Sequence, residues 1–294
     1  MQTGVLTEVF LPLALALVML GLGLSLTVQD FQRALQLPKA TIAGLVGQLL
    51  ILPLLGFAVV AALGLPPFLA AGLLILAFCP GGPTSNIITH LAKGDTALSV
   101  TLTAVGSLVT AITTPILATL AVQNLARLDA TVTLPFAPTL LQILLLTVVP
   151  VGIGLTLRSR FPEVAKKSER SATVFSLVIL ALIILGAIIR ERENLPSYFT
   201  QVGFAALTLN LLALLAGFTI AKALRLHSKQ GLTIGIEMGI QNGTMALVIT
   251  SKFASHPEMT IGPAIYSILM FVTGGIVIAF SPLRRVTPSH ETPA

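Results

Sequence analysis

Leu73-Leu74-Ile75-Leu76-Ala77-Phe78-Cys79-Pro80-Gly81-Gly82-Pro83-Thr84-Ser85-Asn86-Ile87-Ile88 is an apolar run interrupted at its middle by two prolines that flank two glycines. Proline removes a backbone donor, and glycine removes both conformational restraint and side-chain shielding. A continuous helix through this stretch is therefore not expected. Because apolar residues continue on both sides, the stretch predicts a helix broken at membrane depth rather than a surface loop.

A second stretch has the same character. Gly235-Ile236-Glu237-Met238-Gly239-Ile240-Gln241-Asn242-Gly243-Thr244 carries three glycines, Gly235, Gly239 and Gly243, and a polar cluster, again inside an apolar span. Two such breaks in corresponding places of two halves are the sequence pointer to a transporter's binding site.

The rest of the chain fits this environment. Of its 294 residues, 55% are hydrophobic and 10% charged. A soluble domain carries about 25% charged residues, so a soluble enzyme, a disordered chain and a coiled coil are excluded. Nine windows are long and apolar enough to span a bilayer: 7–28, 40–63, 68–90, 95–122, 135–157, 171–189, 198–221, 230–251 and 261–281. Unbroken runs such as Leu11–Leu24 and Val174–Ile189 favour helices over barrel strands, which would alternate. The first window is read as a retained helix rather than a cleaved signal. The single cysteine, Cys79, excludes an intramolecular disulfide.

Nine spans put the termini on opposite sides. One set of connecting segments holds four of the 17 Lys and Arg residues: Arg127, Arg190, Arg192 and Lys252. The other holds Arg33, Lys39, Lys93, Arg158, Arg160, Lys166, Lys167, Arg170, Lys222, Arg225, Lys229, Arg284 and Arg285. Positive residues stay cytoplasmic, so the N-terminus is expected outside and the C-terminus in the cytoplasm. The net charge of +6 is thereby read as topology, with the lipid bilayer as partner, and not as nucleic-acid binding. No protein partner is evident. Windows two to four and seven to nine form two triples of opposite orientation, each with its break in the middle member. The pattern is an inverted repeat, with windows one, five and six left over.

Of the 11 acids, ten fall at helix ends, in loops or in tails: Glu8, Asp30, Asp95, Asp129, Glu163, Glu169, Glu191, Glu193, Glu258 and Glu291. Glu237 alone is deep in a span. A charge there costs about 2.5–3.5 kcal/mol on insertion scales, and no Lys or Arg lies at matching depth. The carboxyl is therefore either protonated or neutralised by a bound cation. Its expected surroundings are rich in neutral oxygen: Ser85, Asn86, Gln241 and Asn242 at the breaks, Gln48 in the second window, and Ser99 and Thr103 on one face of the fourth. One carboxylate among neutral oxygens suits Na⁺ better than a divalent metal, which attracts more acids.

These residues resemble the bile acid:sodium symporter family. Pro80-Gly81-Gly82-Pro83-Thr84-Ser85-Asn86 with Leu91-Ala92-Lys93-Gly94-Asp95-Thr96-Ala97-Leu98-Ser99 is similar to the family's first crossover, and Gly235–Asn242 to its second. Gly21-Leu22-Gly23-Leu24-Ser25-Leu26 before Asp30-Phe31 also fits. The resemblance covers nearly the whole chain. It implies an all-α integral membrane protein of nine helices in a bacterial plasma membrane, with two crossed discontinuous helices. A panel domain would comprise 1–39 and 123–197, a core domain 40–122 and 198–281, and 282–294 a cytoplasmic tail. It implies two Na⁺ sites: Ser85, Asn86, Ser99, Thr103 and Glu237 in the first; Gln48, Glu237 and Gln241, with the Met238 and Ile240 carbonyls, in the second. Substrate is implied near Pro83, Thr84 and Asn242. Met270 and Phe271 stand where a related bacterial transporter has a His-Asn pair, which makes that side of the pocket more apolar.

The function expected is Na⁺-coupled symport of an organic anion, a bile acid or a smaller carboxylate such as pantoate or a keto acid. Two readings compete. A cation/proton antiporter shares crossed broken helices but usually places an Asp or paired acids at the crossing. A membrane enzyme would need a nucleophile–base pair in a span, whereas His90, His227, His256 and His290 fall at ends, in loops or in the tail.

Overall fold

The computed structural model describes residues 11–126, 136–190, 195–251, 253 and 256–281. Glu8, Arg127, Asp129, Glu191, Arg192, Glu193, Lys252, Arg284, Arg285, His290 and Glu291, and the first residues of window 7–28, lie outside the described residues. The described chain is all-helical, with no strand among the described residues. In order the helices are α1 (Leu11–Ser25), α2 (Val28–Gln36), α3 (Pro38–Leu63), α4 (Pro67–Phe78), α5 (Pro83–Leu91), α6 (Thr96–Ala126), α7 (Phe136–Arg160), α8 (Pro162–Arg190), α9 (Pro196–Ala223), α10 (Ser228–Gly239), α11 (Gly243–Ser251) and α12 (Ile261–Phe280). Among the described residues, five stretches are long and apolar enough to cross a membrane: Pro38–Leu63, Thr96–Gln123, Leu140–Arg160, Pro196–Ala223 and Pro257–Phe280.

Proline sets several of the starts. Pro38, Pro67 and Pro83 sit in the first turns of α3, α4 and α5, where their missing N–H has no helical partner to lose. Gly64, at φ 58°, closes α3 in the left-handed conformation that glycine adopts at least cost. The helix α2 was not foreseen. It lies between the first two windows and is started by Thr27, whose N–H and hydroxyl both donate to Asp30 Oδ2, at 2.8 and 2.6 Å.

The breaks are shorter than the sequence suggests. Only Cys79–Gly82 separates α4 from α5, and only Ile240–Asn242 separates α10 from α11. Pro83 begins a helix instead of extending the interruption, so Thr84, Ser85 and Asn86 are helical. Gly235 and Gly239 remain inside α10. Their small size serves packing: a Cβ on Gly217 of α9 would lie 2.6 Å from the Gly235 Cα, so these two backbones meet with nothing between them.

The broken pairs lie at the centre. Leu73, Ile75, Leu76, Ile234, Ile236, Met238, Leu247, Val248 and Ile249 are all buried, and α10 from Gly231 onward and α11 to Thr250 are buried on every side. A helix apolar all round belongs in an interior. Around them pack α3, α6, α9 and α12, while α1 packs chiefly on α7 and α8. The α1–α7 contact is again made by glycine, since a Cβ on Gly23 or Gly154 would collide with backbone of the opposing helix.

Filling these approaches should cost stability. Overpacking of about this kind costs roughly 1–3 kcal/mol, occasionally more, so Gly217→Val should markedly lower the thermal midpoint in detergent. Gly186→Ala, where a Cβ meets nothing within 4 Å, should leave it unchanged. An unchanged midpoint for Gly217→Val would show that α9 and α10 do not touch as described.

Candidate functional site at the crossing of two broken helices

Breaking a helix in an apolar interior exposes backbone groups that must find partners. The two interruptions first satisfy each other. Gly81 and Gln241 form an antiparallel bridge, and the Asn242 N–H donates to the Pro80 carbonyl at 2.8 Å. The remaining carbonyls are met by side chains from the surrounding helices. At the first break the Phe78 carbonyl accepts from Thr114 Oγ1 of α6 at 2.5 Å, and the Cys79 carbonyl from Gln48 Nε2 of α3 at 2.8 Å. At the second, the Gly239 carbonyl accepts from Asn210 Nδ2 of α9 at 2.8 Å and from the Tyr266 hydroxyl of α12 at 3.0 Å.

Four half-helix ends meet here. The N-terminal ends of α5 and α11 and the C-terminal ends of α4 and α10 bring partial charges of both signs to one place. Asn242 caps α11, its Oδ1 accepting from the Met245 N–H at 3.0 Å. Its Nδ2 is buried and has no partner among the described residues.

Glu237, two residues before the end of α10, is 2% exposed. Its Oε2 accepts from Ser85 Oγ at 2.7 Å and Ser99 Oγ at 3.2 Å, and its Oε1 from Thr103 Oγ1 at 2.6 Å. Asn86 Oδ1 accepts from the same two α6 hydroxyls, Ser99 at 2.7 Å and Thr103 at 3.3 Å, while Ser85 Oγ also lies 2.8 Å from the Gly82 carbonyl. Three hydroxyls, with one hydrogen each, thus sit in six oxygen–oxygen contacts. At least three of those contacts have no hydrogen from a hydroxyl. With Glu237 ionised and the Asn86 amide assigned with its oxygen toward the hydroxyls, the cluster is rich in lone pairs and short of protons, which is the condition a hard cation relieves. Gly81 is needed for it: a Cβ there would run into the Glu237 carboxylate.

The five residues expected at the first sodium site are therefore together. The second group is together in part. Gln48 Nε2 donates to Gln241 Oε1 at 2.8 Å, and Gln241 Nε2 donates to the Met238 carbonyl at 2.6 Å and the Glu237 carbonyl at 3.2 Å. Glu237 enters this group through its carbonyl, since its carboxylate is turned to Ser85, Ser99 and Thr103. Ile240 is buried beside it in the break, its N–H donating to the Ile236 carbonyl at 2.8 Å.

The residues expected at the substrate divide. Pro83 and Thr84 are half-buried in the first turn of α5, and Asn242 is buried beside them. Met270 is fully buried, whereas Phe271 is 39% exposed, because consecutive residues of a helix point in different directions. Met270 shares a face with Tyr266 and Gly274, and a Cβ on Gly274 would press on Ile88 and Ile240. That face of α12 covers the crossing; Phe271 points away from it.

Thr114, Asn210 and Tyr266 escaped the sequence reading. Asn210 had a signal, an amide alone within Leu207-Thr208-Leu209-Asn210-Leu211-Leu212. Thr114 and Tyr266 had none, since a threonine in a span usually bonds its own helix and a tyrosine packs as an aromatic.

The architecture defines a class: a polytopic membrane protein in which two broken helices cross at the apolar centre and gather polar groups there. Comparison narrows the class to one family. The family model for the sodium bile acid symporter family matches residues 12–198. The chloroplastic "Probable sodium/metabolite cotransporter BASS1" of Arabidopsis thaliana is 31% identical over 91% of this chain and 65% of its own length. The "Uncharacterized sodium-dependent transporter YocS" of Bacillus subtilis is 31% identical over 87% of this chain and 78% of its own. BASS2 of Oryza sativa subsp. japonica, another chloroplastic "Probable sodium/metabolite cotransporter", is 28% identical over 99% and 68% respectively. The chain belongs to the sodium bile acid symporter family, and it spans about two thirds of the length of these plant relatives.

The shared Gly239 carbonyl gives a separable test of the crossing. Tyr266→Phe and Asn210→Leu should each cost about 1 kcal/mol, the net worth of one hydrogen bond. The double variant should cost more than their sum, because the carbonyl is then orphaned. Thermal unfolding in detergent checks this; strict additivity would mean that the two donors do not share an acceptor.

Proposed function

We propose that the protein is a secondary transporter that moves an organic anion together with Na⁺ by alternating access. The observation carrying this reading is the proton-poor oxygen cluster around Glu237. A lone carboxylate at that depth is costly unless compensated, and a bound Na⁺ would neutralise it while completing the contacts for which no hydroxyl hydrogen is available. The names of the family and of its relatives agree with Na⁺ as cargo.

In this reading the first Na⁺ is held by Ser85, Asn86, Ser99, Thr103 and Glu237. A second is held by Gln48, Gln241 and the carbonyls of Glu237, Met238 and Ile240. Its arrival requires the Gln241 amide to turn, since an NH₂ now faces the carbonyls that a cation would take. The anion binds where two helix N-terminal ends converge, at Pro83, Thr84 and Asn242, with Met270 as apolar wall. The unpartnered Asn242 Nδ2 supports this placement, being a buried donor that a substrate oxygen would satisfy. The nine-span topology, N-terminus outside, follows from the Lys and Arg distribution.

The motion follows from the packing. α3–α6 and α9–α12 are stitched to one another at the crossing, whereas α1, α7 and α8 pack largely together. The first group moves as a core against the second, a panel. The anion alone adds to the charge of the Glu237 carboxylate and two Na⁺ without the anion overcompensate it, whereas two Na⁺ with a monoanion leave the core neutral in a low-dielectric barrier, so movement favours the fully loaded core, and coupling needs no separate gate.

Two measurements test the proposal. Glu237→Gln keeps the shape of the cluster and removes its charge, so it should fold normally and lose Na⁺-dependent thermal stabilisation; normal Na⁺ affinity in this variant would refute the ligand set. Na⁺ should also raise anion affinity, and the anion should raise Na⁺ affinity by the same factor. Titrating a panel of small carboxylates in Na⁺ and in K⁺ buffer decides it: equal affinities would sink symport.

A further inference from the structure

Away from the crossing, a groove of about 550 Å³ opens between α9, α10 and α12. Its walls are apolar, with Phe218 on α9, Leu232 on α10, and Ile276, Val277 and Phe280 on α12. Its end is polar, formed by Lys222, His227 and Ser228. Lys222 is in the last turn of α9 and Phe280 is the last residue of α12, and both helices are long and apolar enough to span. The groove therefore sits where two spans leave the hydrocarbon. Its apolar half is at acyl-chain depth and its polar end at headgroup depth.

The charge of that rim is one-sided. Lys222, Arg225 and Lys229 are exposed, and none of them has an ion-pair partner among the described residues. Lys93 reaches the same face, since the Asp95 N–H donates to Thr233 Oγ1 of α10 at 2.8 Å and the Ala92 carbonyl accepts from Ser281 Oγ at 2.6 Å. Asp95 is the acid nearby, and its Oδ1 is engaged in accepting from the Leu98 N–H at 3.0 Å. Arg225 and Lys93 stand at φ 53° and 64°, left-handed positions after helix ends where glycine costs less. Cations occupy both. Meanwhile Phe280 and Ile276, 71% and 52% exposed, offer apolar surface immediately beneath them.

We propose that this groove is a binding site for an anionic phospholipid of the surrounding bilayer. The occupant has to present apolar chain to Phe218, Ile276 and Phe280 and a negative group to Lys222 and its neighbours, at the depth where a phosphodiester lies. A zwitterionic lipid fills the walls but leaves the cations uncompensated. A soluble phosphate answers the cations but leaves the apolar walls bare. The proposal depends only on these helices spanning the membrane, and not on what the crossing transports.

Native mass spectrometry of the detergent-purified full chain, after exchange into equimolar phosphatidylglycerol and phosphatidylcholine, tests it. Phosphatidylglycerol should be retained preferentially. Lys222→Gln should lower that retention about fivefold, the size of one interfacial charge. Val277→Trp, which fills the groove without changing charge, should lower it too, and Phe280→Ala, at an exposed position, serves the same purpose should the tryptophan impair folding. Lys166→Gln, an exposed cation on α8, should have no effect, nor should glycerol phosphate compete. Equal retention of the two lipids, an equal loss with Lys166→Gln, or displacement by glycerol phosphate would overturn the site. Lipid retention is read without Na⁺ or substrate, so its failure is distinguishable from failure of the transport reading.

Discussion

Two interrupted helices in an apolar interior leave carbonyl and amide groups that water cannot reach, and the need to satisfy them organises the rest of the molecule. Part of the need is met by the interruptions themselves, through the Gly81–Gln241 bridge and the Asn242 to Pro80 hydrogen bond. Of what is left, the carbonyls of Phe78, Cys79 and Gly239 are met from α6, α3, α9 and α12. Each of these four helices is thereby tied to one point by a buried hydrogen bond. Among the described residues no such tie runs from α1, and in the proposed cycle this difference in attachment is what would let one set of helices move past another.

The same crossing concentrates charge. Half-helix ends of both signs meet within a few residues, and Glu237 adds the one carboxylate that lies at the crossing among the described residues. An interior pair of charges repays its desolvation only when further hydrogen bonds complete the geometry. The hydroxyls of Ser85, Ser99 and Thr103 come from two other helices to do so, yet they bring fewer hydrogens than the oxygens they touch. A monovalent cation balances the one carboxylate and leaves the loaded cluster neutral. A divalent ion would leave it positive, which in this setting is as costly as leaving it empty.

The sequence made the chemistry of this site more legible than its geometry. Glu237 was conspicuous because it had no company, one acid in a span with no cation at its depth, and composition alone exposes such a residue. Ser99 and Thr103 were conspicuous by a spacing of four. The extent of the breaks was misjudged, because glycine and proline were counted as interruptions wherever they occurred. Pro83 in a first turn starts a helix, and Gly235 in α10 lets α9 approach; the residues are the same and only their neighbours decide. Met270 and Phe271 part for a related reason: a resemblance aligns positions along a chain, and a helix turns adjacent positions to different sides. The donors that catch the freed carbonyls were least legible. Thr114 and Tyr266 are ordinary residues in ordinary spans, and their role exists only once a carbonyl from a distant segment arrives beside them.

The crossing also carries an asymmetry that its backbone does not. About the Gly81–Gln241 bridge the two broken helices are in register, each resuming two residues further on, at Pro83 and at Gly243. Counting on from there, Ser85 and Asn86 match Met245 and Ala246, and counting back, Glu237 matches Ala77. One flank thus assembles a carboxylate, hydroxyls and an amide oxygen, and the matching flank is apolar, with Ala77, Met245 and Ala246 all buried. These three matching side chains offer an ion no oxygen. In the proposed cycle Na⁺ is held on one flank only, so the ion crosses when the core carries it. A symmetric pair of polar flanks would suit a pathway; a single one suits the proposed carrier.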